Sequence, residues 1–198
     1  SWRITTALLG IAAVALLMII AKLLFKSTAW ALAAGFLFAI DGHAIVLART
    51  ALLDNSLMFF GLLGFYFLLR DQQHRDILGL QKFRPWLIAA GVALGAATAV
   101  KWSGLYFIAA FGLYVVISET IARRAAGETS WIKTGLLKQG SLTFLNLVPI
   151  SVLIYLASIA GVRGNKNLGL YGISKAGLIQ LARNIAVEYG PDNIRANS

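Results

Sequence analysis

Six apolar runs constrain this chain more than any other feature. They are Ile4 to Phe25, Thr28 to Ile40, Ser56 to Leu69, Trp86 to Val100, Gly104 to Ser118 and Ser141 to Ala160. A hydrocarbon core of about 30 Å needs roughly 20 apolar residues in a helix. The first and last runs reach that length, and the others need flanking residues to complete a crossing. With 59% hydrophobic and 13% charged residues among 198, the chain is far from a soluble domain, which is about half apolar and about a quarter charged. A globule of this size could not bury six such runs. The expected fold is all-α: a polytopic transmembrane helical bundle of about six hydrophobic segments, with a short amphipathic-helix tail. The first run is too long for a signal peptide and lacks a clean small-residue cleavage site.

Charge placement supplies a topology. The net charge of +10 comes from 18 Lys and Arg against 8 Asp and Glu. On a chain of apolar blocks it predicts basic loops at one membrane face, not a nucleic-acid partner. If every run crosses, one face holds ten cations: Lys22, Lys26, Arg70, Arg75, Lys82, Arg84, Arg123, Arg124, Lys133 and Lys138. The other face has three before the tail: Arg3, Arg49 and Lys101. The positive-inside bias predicts that the loops Arg70 to Arg84 and Glu119 to Lys138 are cytoplasmic. The absence of cysteine excludes disulfides, thiolate metal sites and a cysteine nucleophile. No metal site is expected.

The stretch DGHAIVLARTALLDNS, Asp41 to Ser56, is the polar part of the apolar region. Ionisable groups in or beside a bilayer are costly unless they pair or line a wet cavity. Arg49 and Asp54 are five residues apart, so on one continuous helix they share no stripe. Lys101 stands between two apolar runs. An arginine and a lysine converging at the outer face suit a lipid phosphate, because a guanidinium fork grips its oxygens in pairs and an ammonium adds a compact charge. The same spacing also fits a plainer arrangement, with Arg49 and Lys101 snorkelling and Asp54 capping a helix that begins near Asn55.

The segments LARTALLDNSLMFF and GVALGAATAVKWSGLYF resemble the membrane core of the protein O-mannosyltransferases, in particular the actinobacterial type. The resemblance covers roughly Ser1 to Leu156. It implies a multi-spanning glycosyltransferase of the GT-C architecture in a bacterial plasma membrane. It also implies a polyprenyl-phosphate-mannose (dolichyl-type) donor and a Ser or Thr of a secreted protein as acceptor. By resemblance, Arg49, Asp54 and Lys101 are the lipid-phosphate-binding residues. The family's catalytic acidic pair lies in a loop after its first membrane helix. This chain is expected to begin downstream of that loop, and it contains no Asp-Glu dipeptide. An inverting transfer needs a base for the acceptor hydroxyl. The expectation is therefore a fragment of such a transferase, inactive alone.

From Val162 the composition changes to glycine- and asparagine-rich, then amphipathic. Tyr171 and Lys175 form Y-x-x-x-K, one helical turn apart, so an ammonium can sit beside a phenol. Ser158 lies thirteen residues before the tyrosine. Ala157 to Ser198 resembles the catalytic segment of the short-chain dehydrogenase/reductase family. That implies Ser158, Tyr171 and Lys175 as catalytic residues. The Gly-rich turn such enzymes use for NAD(P) has no counterpart upstream, so no cofactor is expected to be bound. A helix from about Gly172 to Tyr189 is expected, ended by Gly190-Pro191. Both resemblances read through Tyr155 to Gly161. The predicted organisation is a chimera, with a mannosyltransferase-like membrane part at residues 1–157 and an incomplete dehydrogenase-like segment at 158–198. Two alternatives remain at this point: an NAD(P) oxidoreductase resting on the tail, and a non-catalytic membrane scaffold.

Overall fold

The computed structural model describes residues 2–50, 53–76 and 78–159. The chain divides into two units, Ser1–Val152 and Leu153–Ser198. Of the second, only residues 153–159 are described, and the predicted tail helix lies outside the described residues.

The described residues form helices joined by short turns, with no strand among them. Helix α1 (Trp2–Phe25) is followed by α2 (Thr28–Ile40) and α3 (Gly42–Thr50), then α4 (Leu53–His74) and α5 (Pro85–Val100). Helix α6 (Gly104–Ala125), a π-helical turn (Lys133–Gln139) and α7 (Gly140–Ile159) complete the order. Local chemistry explains the breaks. Lys26 ends α1 in the left-handed region, φ 52°. Asp41 separates α2 from α3, and its carboxylate accepts a hydrogen bond from Ala44 N–H at 2.8 Å, capping α3. Pro85 opens α5, where its missing N–H costs nothing. Gly127, at φ 81°, closes α6. There the N–H groups of Glu128 and Gly127 return to the carbonyls of Arg123 and Arg124, satisfying groups the helix end would orphan.

Helix α4 is central, packing on α1 and on α5. Leu68, Leu87, Leu94, Ile108, Val115 and Leu147 form one apolar core, and Leu16, Ile20 and Leu69 a second. Much of the apolar side-chain surface points outward, including Leu8, Ile11, Phe36, Leu37, Leu113 and Ile121. A soluble helix hides its apolar stripe; these helices present theirs to the surroundings, as lipid-facing helices do.

Three helical stretches are long and apolar enough to cross a membrane, Thr6–Phe25, Gly104–Ala125 and Lys133–Ala157. Helices α2 and α3, bent by 60°, qualify as a fourth when taken together. The expected all-α membrane bundle stands, and the chain is an integral membrane protein. Length and composition support three or four crossings, not the six counted from the sequence. Helix α5 has only 16 residues. In α4 the apolar stretch is closed off by Asp54-Asn55 at one end and Arg70-Asp71 at the other.

Two cations from the charge count are buried rather than solvated. Arg84 and Arg123 are 2% and 0% exposed. Arg84 binds Asp71 through both Nε and Nη2, the former at 3.1 Å, and Glu119 and Thr143 through Nη1 at 2.9 and 3.2 Å. Its backbone N–H donates to Asn146 Oδ1 at 3.3 Å. Burial alone would lower the Arg84 pKa, but hydrogen bonds and charge from Asp71, then Glu119, raise it above its ordinary value. Arg123 donates to the Gly79 carbonyl at 2.8 Å and to Glu128 at 3.1 Å. Nearby, burial pushes the Arg75 guanidinium below its ordinary value, against the pull of Glu119. This network ties the end of α4 to the start of α5, to α6 and to α7.

Candidate functional site

The opposite end of α4 carries the residues singled out in the sequence. Asp54 lies in the first turn of α4, and Lys101 caps the C-terminus of α5. Lys101 Nζ donates to Asp54 Oδ1 at 2.7 Å, with the two side chains 50% and 44% exposed. The lysine that looked isolated thus has a partner 47 residues away. The K-W-S-G turn fixes it there. Lys101 N–H closes onto the Ala97 carbonyl at 3.1 Å, and Gly104 N–H donates to the Lys101 carbonyl at 2.8 Å.

Arg49 stands in the last turn of α3 and is exposed, with no ion pair among the described residues. It lines a groove of about 540 Å³ whose walls come from α1 (Gly10, Val14), α2 (Phe38), α3 (Ala48) and α4 (Asn55, Met58). Asn55 is fully buried. Its amide donates to the Thr6 carbonyl at 2.9 Å, while its Oδ1 has no hydrogen-bond partner among the described residues. A second groove of about 390 Å³ runs down the other flank of α4, lined by Asp54, Leu57, Met58, Phe65, Phe107 and Phe111. Its aromatic wall is a run of stacked rings: Phe65 on Phe111 at 5.4 Å and Phe107 on Phe111 at 5.9 Å. Met58 borders both grooves.

The structure therefore brings Asp54 and Lys101 together and sets Arg49 in the adjoining groove. Two apolar furrows flank the first turns of α4, one bearing a guanidinium and the other an ammonium–carboxylate pair. Such an arrangement suits an amphiphile with an anionic head and a hydrocarbon tail. Of the other predicted site residues, Ser158 belongs to the last turns of α7, and Tyr171 and Lys175 lie outside the described residues. No group of three or more residues able to hold a metal occurs among the described residues.

The buried network at the far end of α4 was missed in the sequence. Its one local signal was Glu119, an acid directly after an apolar run and four residues before Arg123. The acidic partners of Arg84 lie 13 and 35 residues away and carry no local pattern.

Comparison with known proteins adds independent information. The family model described as dolichyl-phosphate-mannose-protein mannosyltransferase matches residues 1–160. The model described as enoyl-(acyl carrier protein) reductase matches residues 145–198. The polyprenol-phosphate-mannose–protein mannosyltransferase of Mycobacterium tuberculosis is 37% identical over 179 aligned residues, covering 80% of this chain and 34% of that protein. Its namesake in Corynebacterium glutamicum is 36% identical over 174, covering 79% and 33%. A tropinone reductase homologue of Arabidopsis thaliana is 48% identical over 46 residues, covering 23% of this chain and 17% of its own. No solved structure matches. The chain spans about a third of the length of the mannosyltransferases it resembles. The two motifs around Arg49 and Lys101, the membrane helices that carry them, and a family match over residues 1–160 lead to one assignment: this chain belongs to the dolichyl-phosphate-mannose–protein mannosyltransferase family.

Proposed function

We propose that residues 1–157 form the donor-lipid-binding part of a polyprenyl-phosphate-mannose-dependent protein mannosyltransferase. The observation that carries this reading is the pair of apolar furrows flanking α4, with Arg49 in one and Lys101–Asp54 at the other. In the reaction an acceptor Ser or Thr oxygen attacks the anomeric carbon, the bond from that carbon to the phosphate oxygen breaks, and polyprenyl phosphate leaves. Negative charge grows on the departing phosphate. The Arg49 guanidinium and the Lys101 ammonium would stabilise it more in the transition state than in the bound donor. The acceptor proton needs a base. Asp41 caps α3 and Asp54 holds Lys101, so neither is assigned that role. The chain by itself is accordingly assigned donor binding without transfer. Residues 158–198 belong to a second origin. Support comes from the reductase match, which overlaps the mannosyltransferase match at residues 145–160.

In nanodiscs, the chain should bind polyprenyl-phosphate-mannose saturably and transfer no mannose to a Ser/Thr peptide. Arg49→Ala should weaken binding about tenfold or more, the loss expected for hydrogen bonds to a charged group. Binding unaffected by Arg49→Ala would overturn the donor-site reading, and transfer by the chain alone would overturn the assignment of no base.

The proposed topology places the loops Arg70 to Arg84 and Glu119 to Lys138 in the cytoplasm and the two furrows at the outer face. Helices α4 and α5 cross as a hairpin despite their composition. Asp54 and Asp71 are 17 residues apart on α4, as are Arg84 and Lys101 along α5, so ion pairs close both ends of the hairpin. Seventeen residues of helix span about 26 Å, close to the hydrocarbon thickness of about 30 Å. Because the chain has no cysteine, Gln73→Cys and Thr129→Cys can be labelled singly. In intact cells both should resist a membrane-impermeant maleimide, and labelling of both from outside would invert the topology.

A further inference from the structure

The turn between α6 and α7 carries a surface that the donor site does not use. It joins two candidate spans, Gly104–Ala125 and Lys133–Ala157, and so lies at a membrane boundary. Thr129, Ser130, Trp131, Lys133, Leu136 and Leu137 line a pocket of about 410 Å³ there. Leu136 and Leu137 are exposed, as are Lys133 and Lys138. The Arg124 guanidinium lies 5.2 Å above the Trp131 ring. The nearby acids are engaged elsewhere. Glu119 binds Arg84, and Glu128 receives Arg123. Hydrogen bonds from Thr134 and Arg123 hold the Glu128 carboxyl below its ordinary range. Lys133 and Lys138 make no salt bridge among the described residues. The result is two exposed lysines and two outward leucines on a 7-residue π-helical turn, with the Trp131 indole just before it and only Glu128 near Lys138 among the described acids. Single π turns frequently mark binding sites.

We propose that this pocket seats the headgroup of an anionic phospholipid. The phosphodiester oxygens accept hydrogen bonds from Lys133 Nζ. Trp131 lies at the interface, and the acyl chains run along Leu136 and Leu137. Charge complementarity selects an anionic over a zwitterionic lipid. The leaflet concerned follows from the proposed topology, but the chemistry of the seat does not depend on it or on donor binding.

The test is native mass spectrometry of the full chain released from nanodiscs of equal phosphatidylglycerol and phosphatidylcholine. Phosphatidylglycerol should be retained at least tenfold over phosphatidylcholine. Lys133→Gln should reduce that preference about fivefold, the share of one lysine at an anionic surface. Lys133→Arg should keep it, and Lys22→Gln, at the end of α1, should leave it unchanged. Equal retention of the two lipids would overturn the proposal, as would an unaltered preference in Lys133→Gln. A loss in Lys22→Gln equal to that in Lys133→Gln would overturn it too, since the attraction would then be diffuse.

Discussion

Arg84→Ala is expected to destabilise the protein by about 3–5 kcal/mol, the cost of removing one partner from a buried ion network. The wild-type guanidinium satisfies Asp71, Glu119 and Thr143 from a position with 2% exposure. Without it, two carboxylates remain at 5% and 3% side-chain exposure, opposed by Arg123, 4.0 Å from Glu119, and by the charge of Arg75 nearby. Their lost solvation is not returned, so the helix ends they join should separate. Lowering the pH should recover part of the loss, because a neutral carboxyl is cheaper to bury than a charged one. The triple change Arg84→Met, Asp71→Leu and Glu119→Leu should lie much closer to wild type, since apolar side chains of similar volume often replace a buried network at little net cost. Thermal unfolding in detergent, followed by helical circular dichroism, reads all three comparisons. A single Arg84→Ala variant as stable as wild type would show that the network contributes nothing to holding α4, α5, α6 and α7 together.

That network also marks the boundary of what the sequence reveals. The apolar runs located the helices closely. Thr28 to Ile40 was read as one run and is α2, and the run from Trp86 to Val100 is α5 with its opening proline added. Hydropathy is a local property, and helix limits follow from local signals such as Pro85, Asp41 and Gly127. The number of crossings is not local. It depends on whether Asp71, Arg84 and Glu119 face water or one another, and the pairings of Arg84 with the two acids span 13 and 35 residues. Counting Arg84 and Arg123 as solvated loop charges was natural for that reason. The candidate site was half legible. Arg49, Asp54 and Lys101 stood out as ions in apolar surroundings, yet spacing along a helix could not disclose a contact across 47 residues. The buried Asn55 gave no signal at all, because an asparagine beside an aspartate at a helix start reads as a solvated cap.

Gly104→Ala is the second large effect expected, and it acts through backbone alone. The turn from Lys101 to Gly104 folds back onto the last turn of α5. A Cβ at position 104 would lie 2.5 Å from Thr98 Cα and 2.6 Å from the Ala97 carbonyl carbon, with Thr98 N closer still. Backbone atoms cannot swing aside as a flexible side chain can, so the turn must open. Overpacking of this kind costs about 1–3 kcal/mol, and more where the backbone itself must shift. Opening the turn moves Lys101, whose carbonyl accepts the Gly104 N–H, and draws its ammonium from Asp54. Lys101→Met separates the two consequences. It removes the charge but leaves the turn, and a half-exposed ion pair contributes only about 0–1 kcal/mol. The unfolding temperature should therefore fall clearly in Gly104→Ala and barely in Lys101→Met, while polyprenyl-phosphate-mannose binding should weaken in both. If Gly104→Ala unfolds at the wild-type temperature, the turn has room for a methyl group. The glycine of the K-W-S-G motif would then not be what holds Lys101 against Asp54.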